Sequence, residues 1–84
     1  MSDPKKVLII DDDPDFVTAI ESLLESAGFG VQRATNGRDG LRLAKASQPD
    51  LILLDVMMTE RTEGFFALQE LRRVPGLNRT PVIV

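Results

Sequence analysis

The residues best suited to chemistry in this 84-residue chain are aspartates that directly follow apolar runs. The stretch VLIIDDDPDF, residues 7–16, places four carboxylates within five positions: Asp11, Asp12, Asp13 and Asp15. A further aspartate, Asp55, ends the run LILLD. Carboxylates this close repel each other unless a cation or a basic side chain lies between them. Some of these aspartates could bind a ligand, and others could stabilise the local backbone.

Helix capping explains two of the four clustered side chains. Asp13 precedes Pro14, which suits the first position of a helix, so Asp13 is the predicted N-cap. Asp15 then lies in the first turn, where the helix dipole favours an anion. Asp11 and Asp12 come before the cap, at the carboxyl end of a predicted buried strand. Because capping does not account for this pair, we predict a functional role for it.

Asp55 brings a third carboxylate to the same edge if the strands that precede Asp11 and Asp55 are neighbours. In an open α/β sheet, ligands bind beyond the carboxyl ends of the strands, where the strand order reverses. Such carboxylates suit Mg²⁺, which also keeps waters and leaves positions for phosphate oxygens. An aspartate supported by a metal can act as a nucleophile and form an aspartyl-phosphate. A turn aspartate that only ends a strand remains the alternative for Asp55.

Apolar runs and helical spacings predict the elements that carry these aspartates. Four runs predict strands, three of them wholly apolar and the second less so: residues 7–10, 30–34, 51–54 and 81–84. Apolar residues at three- and four-residue steps predict helices over about 16–27, 37–47 and 64–74. The order βαβαβαβ predicts one α/β domain with an open parallel sheet and right-handed crossovers.

The composition excludes several kinds of site. The chain has no cysteine and no histidine, so disulfides, thiolate zinc sites and imidazole catalysis are excluded. It has no signal-peptide core and no apolar run near the ~18 residues of a membrane span, so we expect a cytoplasmic protein that does not contact a membrane. The net charge of −3 argues against direct nucleic-acid binding by this segment.

Two other uses of the acidic cluster fail on spacing. Asp11, Asp13 and Asp15 match the first, third and fifth ligands of an EF-hand loop. The sixth position, however, holds Phe16 instead of glycine, and the twelfth holds Ser22 instead of glutamate. The chain also has no GxxxxGK[ST] segment, which excludes a nucleotide-binding P-loop.

Taken together, these segments resemble the response-regulator receiver domain of two-component signalling along the whole chain. VLIIDDDPDF is similar to its first strand and acidic pair, and AGFGVQRATNGRDGL to its second strand and the turn that follows. PDLILLDVMM is similar to its third strand, and TPVIV to its fourth. The resemblance implies the flavodoxin-like receiver fold with strand order 2-1-3-4, ending before the fourth helix and fifth strand.

The resemblance also implies a role for each site residue. Asp55 would accept a phosphoryl group from the phosphohistidine of a sensor histidine kinase or a phosphotransfer protein. Mg²⁺ would be held by Asp12 directly, by Asp11 partly through water, by Asp55, and by the backbone carbonyl of Met57. Such a domain is a signalling module rather than an enzyme, although it assists its own phosphorylation and dephosphorylation.

The sequence departs from the family pattern in two places. The family has proline where Thr59 stands and glycine one position earlier than Gly64, which implies a longer loop beside the site. Its serine or threonine after the fourth strand, and its lysine after the fifth, both fall beyond Val84. We therefore expect residues 1–84 to be a single, incomplete receiver domain that binds Mg²⁺ and is phosphorylated slowly, without signal output. Its exposed fourth-strand edge is expected to promote self-association.

Two other functions stay open at this point. The first is a Mg²⁺-dependent phosphohydrolase with a DxDx[TV] motif, for which Asp11 and Asp13 supply the DxD but Asp15 occupies the Thr/Val position. The second is a degenerate receiver that acts only as a protein-interaction module. The missing switch residues favour the second reading, and the intact acidic triad argues against it.

Overall fold

The computed structural model describes residues 4–55, 69–77 and 79–83, which form one parallel sheet flanked by helices. In chain order its elements are β1 Lys6–Ile10, α1 Pro14–Ser26, β2 Gly30–Ala34, α2 Gly37–Ser47, β3 Leu51–Leu54 and β4 Val82–Ile83. The strands lie in the order β2-β1-β3-β4, which confirms the flavodoxin-like α/β fold. Within the described ranges, no helix is long and apolar enough to cross a membrane.

Two predicted elements differ from the structure in length. Pro81 has no N–H for the sheet and lies outside β4, although its carbonyl accepts a hydrogen bond from Ile52 N at 3.0 Å. Val84 and the start of the predicted third helix, up to residue 68, lie outside the described residues. Residues 69–73 are helical, and the turn that follows contains Gly76 at φ 87°, so the helix ends one residue before the predicted end.

Apolar side chains pack on both faces of the sheet. On one face, a buried cluster combines strand residues with residues of α2 and of the segment 69–77: Leu8, Ile10, Ala34, Ala44, Ile52, Leu54, Leu71 and Leu77. On the other face, Val7 and Ile9 of β1 pack against Val17 of α1. Alternate residues of β1 therefore face opposite sides, which is why its sequence is a continuous apolar run.

The face covered by α1 keeps large apolar side chains in contact with water. Phe16 and Leu23 of α1 are 51% and 67% exposed, and Ile83 of β4 is 56% exposed. Leu51 and Leu53 of β3 lie on the same face and are only partly buried. Phe16, Leu53 and Ile83 line one cleft on this face, and exposed apolar side chains that lie together favour association with another surface.

α2 approaches the end of β1 closely because Gly40 has no side chain. A Cβ atom at Gly40 would lie 2.4 Å from Ile10 Cδ1 and 2.6 Å from Ile10 Cγ1, well inside van der Waals contact. Ile10 is fully buried and directly precedes Asp11. The contact therefore fixes the strand end from which the first of the candidate site aspartates emerges.

Candidate metal centre

The main chain places Asp11 and Asp55 side by side at the carboxyl ends of two neighbouring strands. β1 and β3 run parallel with Ile10 opposite Leu54, so the residues that follow them are also neighbours. Asp55 N donates a hydrogen bond to Ile10 O at 2.9 Å, and Asp11 N donates to Ala34 O at 3.0 Å. The backbones of both aspartates are thereby held by the sheet itself.

Three carboxylates converge at this edge, as the sequence analysis anticipated. One carboxylate oxygen from each of Asp11, Asp12 and Asp55 lies within 4.8 Å of the other two. Asp11 is buried, Asp55 is half-buried and Asp12 is exposed, so the cluster runs from the protein interior to solvent. A group of oxygen ligands at this spacing fits a hard divalent cation such as Mg²⁺.

Asp13 caps α1 and Asp15 lies in its first turn, which confirms the roles predicted for these two residues. The Asp13 backbone is extended, at φ −95° and ψ 101°. Its Oδ1 accepts hydrogen bonds from Asp15 N at 3.1 Å and from Phe16 N at 3.2 Å. Pro14 occupies the first turn, where a missing N–H leaves no hydrogen bond unmade, and Asp15 lies near the positive end of the helix dipole.

The electrostatic state of Asp11 follows from its position between the sheet and the cap. Burial raises the pKa of the Asp11 carboxyl above its ordinary value of 3.8, and the negative charges of Asp55, Asp12 and Asp13 act in the same direction. A hydrogen bond of 2.9 Å from Asp13 N to Asp11 Oδ1 acts against them. Since the ionised form is disfavoured by burial and by like charges, a bound cation would relieve the repulsion among these groups.

A cleft of about 440 Å³ opens beside the carboxylates. Asp11, Asp13 and Asp55 line its acidic part, and apolar side chains line the remainder: Ile9, Phe16, Ile20, Leu53, Leu54 and Ile83. The half-buried Asp55 carboxylate thus faces a space that can admit a hydrated ion together with a phosphoryl-sized anion.

Some predicted features of the site cannot be compared with the structure. Met57 and the loop from Thr59 to Gly64 lie outside the described residues. The sequence analysis did not identify one side chain that contacts the start of α1. Arg33 of β2 contacts the first two turns of α1, and the only sequence signal for this contact is a basic residue within a strand.

Comparison of the sequence with known protein families identifies the family of this chain. The profile of the family described as response regulator receiver domain matches residues 7–84. The DNA-binding dual master transcriptional regulator RpaA of Synechocystis is 43% identical over 79 residues, which cover 94% of this chain and 32% of RpaA. The chain thus spans about a third of the length of that curated relative.

Solved structures that are similar to this chain include receiver domains. The chemotaxis protein CheY4 of Vibrio cholerae is 30% identical with a TM-score of 0.87, over 94% of this chain and 65% of CheY4. The receiver domain of the sensor histidine kinase PA1611 of Pseudomonas aeruginosa is 29% identical with a TM-score of 0.86, over 94% of this chain and 64% of that domain. That receiver domain has a magnesium ion coordinated in its active site cleft.

Proposed function

Because this chain belongs to the response regulator receiver domain family of two-component signalling, we propose that its Asp55 accepts a phosphoryl group from the phosphohistidine of a histidine kinase or phosphotransfer protein. The observation that carries the proposal is the convergence of Asp11, Asp12 and Asp55, whose carboxylate oxygens lie within 4.8 Å of one another. The sheet holds the Asp55 backbone through its hydrogen bond to Ile10, and the Asp55 side chain lines the cleft.

Mg²⁺ is the cofactor we propose for this site. The all-oxygen ligand set fits it, and the PA1611 receiver domain supports the same choice. Asp12 and Asp55 would bind the ion directly, Asp11 partly through water, and the backbone carbonyl of Met57 would add a fourth protein ligand. When bound, the ion would offset the negative charge that a phosphoryl group brings to an acidic site.

The chain's own residues supply positioning and a nucleophile. A carboxylate oxygen of Asp55 attacks phosphorus in line with the departing imidazole, so an O–P bond forms while the P–N bond of phosphohistidine breaks. The hydrogen bond from Asp55 N to Ile10 O holds the attacking residue at the mouth of the cleft. The buried Asp11 is fixed by its hydrogen bonds to Ala34 and Asp13, so this ligand is in place before an ion arrives.

The test uses a small phosphodonor such as acetyl phosphate with Mg²⁺, followed by mass spectrometry of the intact chain and its peptides. We expect one phosphoryl group on Asp55, lost in Asp55→Ala and on removal of Mg²⁺ by chelation. Asp50→Asn is the matched control, because Asp50 precedes the same strand at its opposite end and asparagine keeps an acceptor for Lys6 N. A phosphoryl group that survives Asp55→Ala would refute the assignment.

The extent of the domain is a separate proposal. We infer that residues 1–84 form a single unit of a receiver domain. Cooperative unfolding in one transition is expected. An Asp55 that stays unmodified under conditions that phosphorylate other receivers would instead favour a module that only binds protein.

We also propose that this segment is cytoplasmic and binds no nucleic acid by itself. Its net charge of −3 would disfavour contact with a phosphate backbone. A gel-shift assay with random-sequence duplex DNA at low salt is expected to show no retardation. Retardation that disappears with added salt would contradict this proposal.

Self-association is the last part of the proposed behaviour. Among the described strands, β4 lies at the edge of the sheet, and its Ile83 side chain is more than half exposed beside Leu53. Strand edges and apolar faces of this kind pair with a second copy of the chain. Light scattering is expected to give a mass above that of the 9.3 kDa chain, increasing with concentration. A monomer at high concentration would overturn this proposal.

A further inference from the structure

Arg33 of β2 contacts three positions along one side of α1. Its Nη1 donates hydrogen bonds to Glu21 Oε1 at 2.9 Å and to Thr18 Oγ1 at 3.2 Å. Its Nη2 donates to the carbonyl oxygen of Pro14 at 3.5 Å. A guanidinium group suits this task because its planar donors can address several acceptors at once. One side chain therefore connects the edge strand to the first two turns of the helix.

These contacts end next to the candidate metal centre. Pro14 follows the cap residue Asp13, whose N–H donates to Asp11 Oδ1 at 2.9 Å. On the other side, Ala34, the neighbour of Arg33 in β2, accepts a hydrogen bond from Asp11 N at 3.0 Å. β2 thus contacts the chain on both sides of residues 12 and 13: its backbone accepts a hydrogen bond from Asp11, and its Arg33 side chain reaches Pro14, the residue that follows Asp13.

We propose that Arg33 is a positioning residue for the metal centre, and this inference rests on the proposed function. By holding α1 against β2, Arg33 keeps the segment 11–13 in the conformation that brings Asp12 within reach of Asp11 and Asp55. Asp12 lies in the middle of that segment, so its position follows the backbone conformation of residues 11–13. Partners that orient metal ligands without touching the metal commonly influence its affinity.

Charge and geometry make opposite predictions for the loss of Arg33. Removing a positive charge from a protein with an acidic cation site strengthens Mg²⁺ binding by charge alone. Releasing the segment 11–13 weakens it, because Asp12 must then be ordered when the ion binds. The direction of the change in affinity therefore separates a positioning role from an electrostatic one.

Isothermal titration of the whole chain with MgCl₂ tests the inference. We expect Arg33→Met to raise the Mg²⁺ dissociation constant about 3- to 10-fold, less than the roughly 10- to 100-fold typical of groups that hydrogen-bond a metal ligand directly, because Arg33 acts through α1. Arg42→Met is the matched control, since the Arg42 side chain is 76% exposed and forms an ion pair with Asp39 of the same helix. This control loses the same charge and is expected to bind Mg²⁺ as tightly as the original chain, or more tightly.

Thr18→Val provides a second variant that changes no charge. It removes one acceptor of the Arg33 side chain while keeping a β-branched residue of similar size, so a smaller loss of affinity in the same direction is expected. In metal-free protein, amide NMR shifts of residues 11–13 should change in Arg33→Met and in Thr18→Val but not in Arg42→Met. A purely stabilising ion pair would leave those shifts unchanged.

The outcomes are distinguishable from one another. Mg²⁺ affinities that are equal in Arg33→Met and Arg42→Met, or tighter in the former, overturn the positioning role. The same conclusion follows if Thr18→Val leaves both affinity and amide shifts unchanged, even where Arg33→Met does not fold. Absence of Mg²⁺ binding by the unsubstituted chain would instead refute the proposed function.

Discussion

Replacement of Asp13 by alanine separates the helix cap from the metal ligands within a single acidic stretch. The Asp13 carboxylate accepts hydrogen bonds from Asp15 N and Phe16 N, at 3.1 and 3.2 Å. Losing an N-cap of this kind costs about 1 kcal/mol of stability, within a range of about 0.5–2 kcal/mol. For a domain of this size, about 1 kcal/mol corresponds to a fall in Tm of roughly 4–8 °C. Asp13→Asn keeps the acceptor oxygen, and we expect it to cost less than about 0.5 kcal/mol because asparagine caps about as well as aspartate.

Far-UV circular dichroism during urea unfolding is the suitable assay, because the chain has no tryptophan or tyrosine to serve as a fluorescent probe. Both variants lose the same charge beside the cleft, so both should lower Mg²⁺ affinity to the same modest extent. The reasoning is wrong if Asp13→Asn destabilises the protein as much as Asp13→Ala does. It is also wrong if either variant abolishes Mg²⁺ binding, since Asp13 would then be a ligand and not only a cap.

Two further substitutions test the surroundings of the site. Asp11→Asn should stabilise the metal-free protein at neutral pH. Because its pKa is raised, the Asp11 carboxyl binds a proton more tightly in the folded state than in the unfolded state. The free energy of unfolding therefore falls as the pH rises from about 3.8, the ordinary value, through the pKa of the folded state. Urea unfolding at pH 3 and pH 7 measures the free energy of unfolding of the original chain and of Asp11→Asn. The original chain should lose stability relative to the variant between pH 3 and pH 7. An unchanged difference between the two proteins would contradict this expectation. Gly40→Ala should lose up to ~2 kcal/mol, because overlap with Ile10 costs about 1–3 kcal/mol while the gain in helix propensity is only about 1 kcal/mol. Increased stability in the same assay would show that Ile10 moves away without cost.

Features encoded by neighbouring residues were predictable from sequence. The apolar run before Asp11 predicted a buried strand, and the pair Asp13-Pro14 predicted where α1 begins, because capping depends on residues only a few positions apart. The convergence of Asp11 and Asp55 needed one assumption, that β1 and β3 are neighbours, and the strand order supplies it.

Features that depend on packing between distant segments were not predictable in the same way. Arg33 and Glu21 are twelve positions apart and lie on different elements, so no local pattern marks their ion pair. The close approach of Gly40 to Ile10 likewise becomes visible only when α2 lies on the sheet, since a glycine inside a helix is otherwise only a weak helix former. β4 is shorter than predicted because Pro81 has no N–H to donate to the sheet. This is a local property, but the prediction followed the apolar run and included Pro81 in the strand.

The backbones of the three site aspartates are held in different ways, since those of Asp11 and Asp55 bond to the sheet and Asp12 lies in the loop after β1. The amide groups of Asp11 and Asp55 donate to strand carbonyls, so their hydrogen exchange with solvent requires the sheet to open. Asp12 lies outside the strands and is exposed, so the sheet ladder does not hold its backbone directly. The backbones of two of the three aspartates therefore keep their places for as long as the sheet does. The support that the sheet gives to this part of the site lasts as long as the fold itself, whether or not an ion is bound.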